Sequence, residues 1–179
     1  RYFAFDYVYF DSNGAPFVNG PTYSVQHLPK AISGYGNIMS EAVIDTDNVT
    51  NPEAINDNYI VDCYNLESED DEVILGEGLS TITVEFDDEY EIGGITIYNS
   101  AYFDNFIYEI EYIDFGNGNM IYYPQFAYDY YVDFDKEFIR PCSAFTIDIL
   151  NTFMADSVTI CFDLPDGGNI NEIVILGTK

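Results

Sequence analysis

The sequence predicts an all-β fold of antiparallel strands, and three observations carry that prediction. Ile82-Thr-Val-Glu-Phe86, Ile95-Thr-Ile-Tyr98 and the closing Ile170-Asn-Glu-Ile-Val-Ile-Leu-Gly177 each read as alternating apolar and polar side chains with period two, as half-buried strands. A period of two lets a strand set one face on a core and the other in water. Turn signals recur between short runs of this kind from Asn37 onward, which implies a sandwich or a barrel. No helical periodicity of useful length is present, apart from single turns near Ser24 to Ala31 and Asn51 to Asn56.

The first element is a hairpin over residues 1–18. Tyr2 to Phe10 is strongly β-prone, Asp11-Ser-Asn-Gly14 is a turn and Ala15 to Val18 returns. Aromatic side chains fall on both alternating faces of Tyr2 to Phe10. This suits an extra strand covered on both sides, or an edge that pairs with a second copy or a neighbouring module. A loop rich in Gly and Pro, Asn19 to Gly36, separates the hairpin from the rest. The chain therefore divides into an extension, residues 1–36, and one β domain, residues 37–179. Within that domain Glu67-Ser-Glu-Asp-Asp-Glu72 reads as an acidic loop, Asp87-Asp88-Glu89 as a solvated turn and Gly116-Asn-Gly-Asn119 as a tight turn. The aromatic run Tyr122 to Tyr131 reads as core strands, with an exposed interface patch as its alternative.

A chain of 179 residues can bury a core without staples. With 47% hydrophobic and 17% aromatic residues it is too apolar to be disordered, although 32 acidic side chains face 5 basic ones. The formal charge of −27 requires carboxylates that are solvated, screened or neutralised by cations. It argues against nucleic acid and anionic membrane as partners. No window is long enough for a membrane span, and a chain that begins at Arg1 is expected to be processed or excised from something longer. Abundant Tyr, Phe, Asn and Asp with scarce Lys point to an extracellular place, on a cell or virion surface. Cys63, Cys142 and Cys161 sit in apolar strand-like contexts, as three buried thiols or as one disulfide and one orphan. No Cys-x-x-Cys spacing supports a zinc site.

A set of segments in fixed order carries a family likeness. They are Asn37-Ile-Met, then Asn48-Val-Thr-Asn-Pro-Glu-Ala-Ile-Asn-Asp-Asn58, then Ser80 to Ser100 with Tyr90-Glu-Ile at its middle, then Val158-Thr-Ile, and finally Ile170-Asn-Glu-Ile-Val-Ile-Leu-Gly177. Together, over residues 37–179, they resemble a discoidin or F5/8 type C domain. That group belongs to the galactose-binding-like jelly rolls, which include many carbohydrate-binding modules. The resemblance implies an antiparallel jelly-roll β-sandwich, here with an N-terminal hairpin extension. Asn56-Asp57-Asn58 stands where such domains usually carry Asp-Gly-Asp or Asp-Gly-Asn, and the Trp that often follows is missing, since the chain has none.

The resemblance also implies a structural calcium ion. Carried over residue by residue, its ligands fall on Asn56, Asp57, Asn58 and Glu172, hard oxygen donors that suit this cation. An ordinary Asx-rich turn beside a solvent-facing Glu is the alternative, and Asp45 and Asp47 form a second acidic pair. The family's ligand site lies in loops at one end of the sandwich. Here that points to Asn99-Ser-Ala-Tyr-Phe-Asp-Asn105, with Asn99, Tyr102, Phe103, Asp104 and Asn105 as contacts and Tyr59 from the neighbouring turn. Rings of this kind stack on the apolar face of a pyranose, and short polar groups bond its hydroxyls. The alternative is that Tyr102 and Phe103 pin the loop to the core.

No residue set reads as catalytic. His27 is the single histidine and lies outside the family-like region, and the carboxylates of Asp87 to Glu89 and Glu67 to Glu72 are expected in solvated turns where nothing raises a pKa. Asn48-Val-Thr50 matches a glycosylation sequon. The expected function is a non-catalytic extracellular binding or adhesion module that recognises a glycan or surface polymer. A self-assembling structural subunit of a surface layer, filament or virion, jointed through Tyr2 to Phe10, is the rival. An acidic nucleic-acid mimic is the third reading.

Overall fold

A computed structural model describes residues 8–10, 13–18, 33–62, 71–102, 104–116, 118–124 and 144–179. The expectations for Tyr2, Phe3, His27, Cys63, Phe103, Cys142 and most of the Tyr122 to Tyr131 run concern residues outside these. The hairpin is present as β1 (Tyr9–Phe10) and β2 (Pro16–Phe17), paired antiparallel as a two-stranded sheet. The domain contains β3 (Gly36–Asn37), β4 (Ala42–Asp47), β5 (Val49–Thr50), β6 (Val73–Leu75) and the long β7 (Gly78–Asn99). β8 (Tyr112–Asp114), β9 (Met120–Tyr122), the long β10 (Ala144–Leu164) and β11 (Gly168–Thr178) complete it. Single 3-10 turns lie at Met39–Glu41 and Pro52–Ile55.

The strands run in the order β5-β6-β11-β7-β10-β8-β9, with β3 joined to β11 and β4 to β7. The topology is an antiparallel jelly-roll β-sandwich. One strand explains how two layers share a ladder. Along its first half β7 pairs with β4, from Asp47↔Thr81 to Ala42↔Phe86, and along its second half with β11, from Thr178↔Glu91 to Ile170↔Asn99. β10 accompanies β7 throughout, with two breaks of register. Phe86 to Glu89 on β7 lie opposite Asp156 alone, and Ile149 to Thr152 on β10 lie opposite Gly93 alone. Bulges of this kind bend a strand and let it serve two faces. The acidic triplet Asp87-Asp88-Glu89 is therefore a bulge inside one continuous strand, a correction to the turn expected there.

The period-two pattern sets the core. Ile82, Val84 and Phe86 point inward with Ile92, Ile95, Ile97, Val158, Ile160, Phe162, Ile173 and Ile175. A half-buried strand was the expectation for Ile95 to Tyr98 and Ile170 to Gly177, and here the structure differs. The end of β7 and nearly all of β11 are buried on both faces. Their outer face carries a second cluster of Ile60, Tyr98, Ala144, Val174 and Leu176, with Tyr35 packed against it. Tyr35 crosses β7 at Gly93, where an added Cβ would stand 2.7 Å from its ring, and its hydroxyl donates to Glu91 at 2.5 Å. Cys161 is a free thiol buried in β10, which both cysteine readings allow.

Candidate functional site

The site is organised by a polar pair inside an apolar strand. Asn171 of β11 accepts from the Val61 amide at 2.9 Å and donates its own amide to the Asn99 carbonyl at 2.8 Å and to Glu72 Oε1 at 3.1 Å. Three segments distant in sequence meet there. Glu72 is fully buried, and besides Asn171 it accepts from the Ser100 hydroxyl and the Ala101 amide, both at 2.7 Å. Burial pushes its carboxyl up, and bonds from Ser100, Ala101, Asn169 and Asn171 pull it back. This corrects the acidic loop, whose last residue belongs to the interior. A buried carboxylate is tolerated because its oxygens are bonded on several sides.

The loop after β7 is stapled at both ends. Asn99 Oδ1 accepts from the Ser100 and Ile107 amides at 2.9 and 3.0 Å, and its amide donates to the Ile107 carbonyl at 2.9 Å. The Asn105 carbonyl accepts from the Asn169 amide, and Phe106 forms a parallel bridge to Asn169. Ser100 Oγ receives the Tyr102 amide at 2.9 Å. Asn99 is thus a buried clamp and not a ligand contact, a correction to its predicted role. Tyr102 and Asn105 are half-buried and Asp104 is exposed, while Phe103 is outside the described residues.

Tyr59 reaches the same region through its neighbour. The Asp57 carboxylate accepts from the Tyr59 amide at 2.7 Å, and Val61, two residues on, is bonded to Asn171. The Tyr59 turn and the Tyr102 loop therefore share one anchor, Asn169 to Glu172. Tyr59, Tyr102 and Asn105 are half-buried and Asp104 is exposed.

Beside this anchor stand the residues expected around a cation. Glu172 is 4% exposed, so the solvent-facing Glu of the bland alternative is not what the fold contains. Burial first, and the charge of Asp57 second, push its carboxyl up to about 8. The Asp57 carboxyl is itself raised, chiefly by desolvation, with the charge of Asp71 adding to it and the Tyr59 amide opposing. Asn56 donates its amide nitrogen to the Met39 carbonyl at 3.1 Å, and Asn58 has φ 62° and donates to the Asn56 carbonyl at 3.4 Å. Among the described residues no three His, Cys, Asp or Glu side chains are grouped closely enough to hold a metal ion. The donor set fits calcium only if backbone carbonyls and Asn oxygens join Asp57 and Glu172, which is a common calcium coordination. Asp45 and Asp47 are exposed on β4, where the ladder spreads them along one strand.

Sequence reasoning missed Glu72, Ser100, Asn169 and Asn171. One signal was present, since Asn171-Glu172 interrupts an otherwise apolar run, and a polar pair within a doubly covered strand must find partners inside. The sequon also changes meaning. Asn48 has φ 57°, and its amide nitrogen is directed at the Glu77 and Leu79 carbonyls and at Ser80 Oγ, at 3.0–3.2 Å, so the nitrogen a glycan would need is engaged. Tyr122 and Tyr123, at the start of the aromatic run, are exposed, which corrects the core reading for these two residues.

No protein-family model matches the sequence, and no curated protein matches it. Solved structures do match in shape. A family 32 carbohydrate-binding module from C. perfringens NanJ, in complex with galactose, superposes with TM-score 0.52 at 12% identity, over 77% of this chain and 95% of that one. The GH31 module CBM32-2 bound to GalNAc gives 0.52 at 14% identity, over 75% and 95%. An allantoicase from Saccharomyces cerevisiae gives 0.54 at 12% identity, over 82% of this chain and 44% of that one. The chain thus has the discoidin-like, galactose-binding-like fold that its sequence resembles. At these identities the likeness concerns the fold.

Proposed function

We propose that this chain is a non-catalytic glycan-binding module whose ligand meets Tyr59, Tyr102, Asp104 and Asn105. The observation that supports it is the shared anchor, in which Glu72 and Asn171 hold the Tyr102 loop and the Tyr59 turn to the same stretch of β11. Structures of this fold bound to galactose and to GalNAc make those sugars the first ligands to try. A tyrosine face covers the C–H face of a pyranose, while Asp104 and Asn105 bond its hydroxyls. A rigid rim limits the ordering cost of binding. Such a module attaches its parent protein to a surface polymer outside the cell.

Calcium belongs to the same reading. Asn56, Asp57, Asn58 and Glu172 would hold it, and its charge would neutralise the mutually repelling Asp57 and Glu172 and set the turn that carries Tyr59. Titration calorimetry with galactose and GalNAc tests the function. Saturable heat lost in Tyr102→Ala supports it, and no heat with any member of a broad glycan set sinks it.

A second reading has its own observation. The β1–β2 hairpin exposes Val8 and Phe10, an apolar edge suited to self-assembly into a surface layer or filament. Removing residues 1–18 should then leave a monomer, and oligomers that persist without them would end this reading.

A further inference from the structure

The stretch that leads from the extension into the domain is fastened to the sandwich at Tyr35, Ile38 and Glu41. Tyr35 crosses β7 at Gly93 and bonds to Glu91. Ile38 crosses β11 at Gly177, where an added Cβ would stand 2.6 Å from its Cδ1, and its amide donates to the Ile175 carbonyl at 3.0 Å. Glu41 accepts from the Tyr90 hydroxyl at 2.5 Å and lies 3.8 Å from the Lys179 ammonium. Glycine at both crossings removes the side chain that would hold the stretch away.

Between Ile38 and Glu41, Met39 is buried in the core. Asn37 Oδ1 accepts its amide at 3.0 Å, and its carbonyl accepts the side-chain amide of Asn56 at 3.1 Å. A carbonyl only accepts, so it selects the nitrogen of Asn56 and turns that residue's Oδ1 the other way. Asn56 is where the 3-10 turn Pro52–Ile55 ends, and it leads directly into the Tyr59 turn. The Asp57 carboxylate then holds the Tyr59 amide, and Val61 is bonded to Asn171. One carbonyl of the 33–41 stretch therefore fixes the entrance of the Tyr59 turn, and β11 fixes its exit.

We propose that residues 33–41 are a strap that positions the Tyr59 side of the glycan rim, with Asn37 and Met39 orienting Asn56 and, through it, the turn that carries the ring. The sugar in this inference rests on the glycan reading, whereas the coupling of strap to turn does not. Asn37 is exposed and is not among the residues that meet the sugar, so it acts only by limiting the conformations the turn must give up on binding. Residues 1–32 join the domain through the same strap, which links the extension to one side of the rim.

The test is amide hydrogen exchange on the full chain, read beside titration calorimetry with galactose and GalNAc. Asn37→Ala frees the Met39 amide and should speed exchange at Tyr59 and Val61 about two- to tenfold, the worth of one hydrogen bond, while Ala101 and Ile97 keep wild-type rates. Asn37→Asp still offers an acceptor and should restore the wild-type pattern. Asn56→Ala should reproduce Asn37→Ala, and the two together should do no more than either alone, because they break one linkage. Sugar affinity should fall about two- to fivefold in each, with the same lack of additivity. Exchange that quickens equally at Ala101 and Ile97 would mean general loss of stability and overturn the strap. Unchanged rates at Tyr59 and Val61, or additive effects of the two variants, would overturn it as well. If no sugar binds the wild type, the glycan reading fails, and the exchange pattern by itself decides the strap.

Discussion

Ser100 donates its hydroxyl to Glu72 across 2.7 Å in the interior, and so ties the end of the acidic loop to the start of the Tyr102 loop. The same carboxylate takes the Ala101 amide, which makes Glu72 the inner support of the proposed rim.

Glu72→Ala should therefore loosen the loop more than it disturbs the sheet. It strands the Ser100, Ala101 and Asn171 donors, at about 1–3 kcal/mol for each one that water cannot reach. Hydrogen exchange should accelerate at Ala101 and Tyr102 first. Glu72→Gln should cost less, because its amide oxygen still accepts and the Ser100 hydroxyl can accept in turn. Unchanged protection in Glu72→Ala would deny the support.

Tyr102→Ala should weaken galactose or GalNAc binding about two- to tenfold, the range for loss of one ring face, with the melting temperature nearly unchanged. Tyr59→Ala should do the same. Calorimetry with both variants checks this, and a Tyr102 that only pins its loop would lower the melting temperature instead.

Glu172 supplies a pH test whose sign is set by its raised pKa. In the unfolded chain it titrates at about 4.3, and in the fold at about 8. The folded state holds this proton more tightly, so the contribution is complete below about 4.3 and is lost as pH rises through about 8. In chelator, Glu172→Gln should match wild type at about pH 3.5, fall behind it at no pH above that, and melt higher at about pH 8, since the variant has no buried charge to form. With calcium at the higher pH the wild type should gain, because the ion binds only the native state, and the variant should gain less. No calcium shift in either protein would leave Asn56 to Asn58 an ordinary turn.

Gly167 closes the connection between β10 and β11, its amide bonded to the Leu164 carbonyl at 3.0 Å. Its φ is 72°, and an added Cβ would stand 2.8 Å from the Leu75 carbonyl. Gly167→Ala should therefore cost about 1–3 kcal/mol in denaturant melts while leaving Tyr102 and its ligand untouched.

Much of the fold was legible because strand patterning is local. Ile82, Val84 and Phe86 announced their inward face by alternation alone. The site was less legible, since its chemistry depends on residues far apart in sequence. Asn99 looked like a sugar contact because it opens a polar loop, yet the Ile107 backbone claims its amide. Tyr122 looked like core because its neighbours are aromatic, yet its ring is 62% exposed. Asp87 to Glu89 looked like a turn because three adjacent acids avoid a core, and a bulge satisfied the same requirement without breaking the strand.

By itself the sequence determined the all-β class, the places of the main strands, the discoidin-like order of its segments and the acidic surface. All of these follow from side-chain period, turn residues and charge, which neighbours along the chain decide. Only the tertiary structure decided that β11 is covered twice, since that depends on Tyr35 and Ile60 arriving from elsewhere. It also decided that Glu72 and Glu172 are interior carboxylates. Burial is a property of what packs against a residue, and the same glutamate in the same local sequence is a solvated charge or a buried acid according to which distant segments close over it.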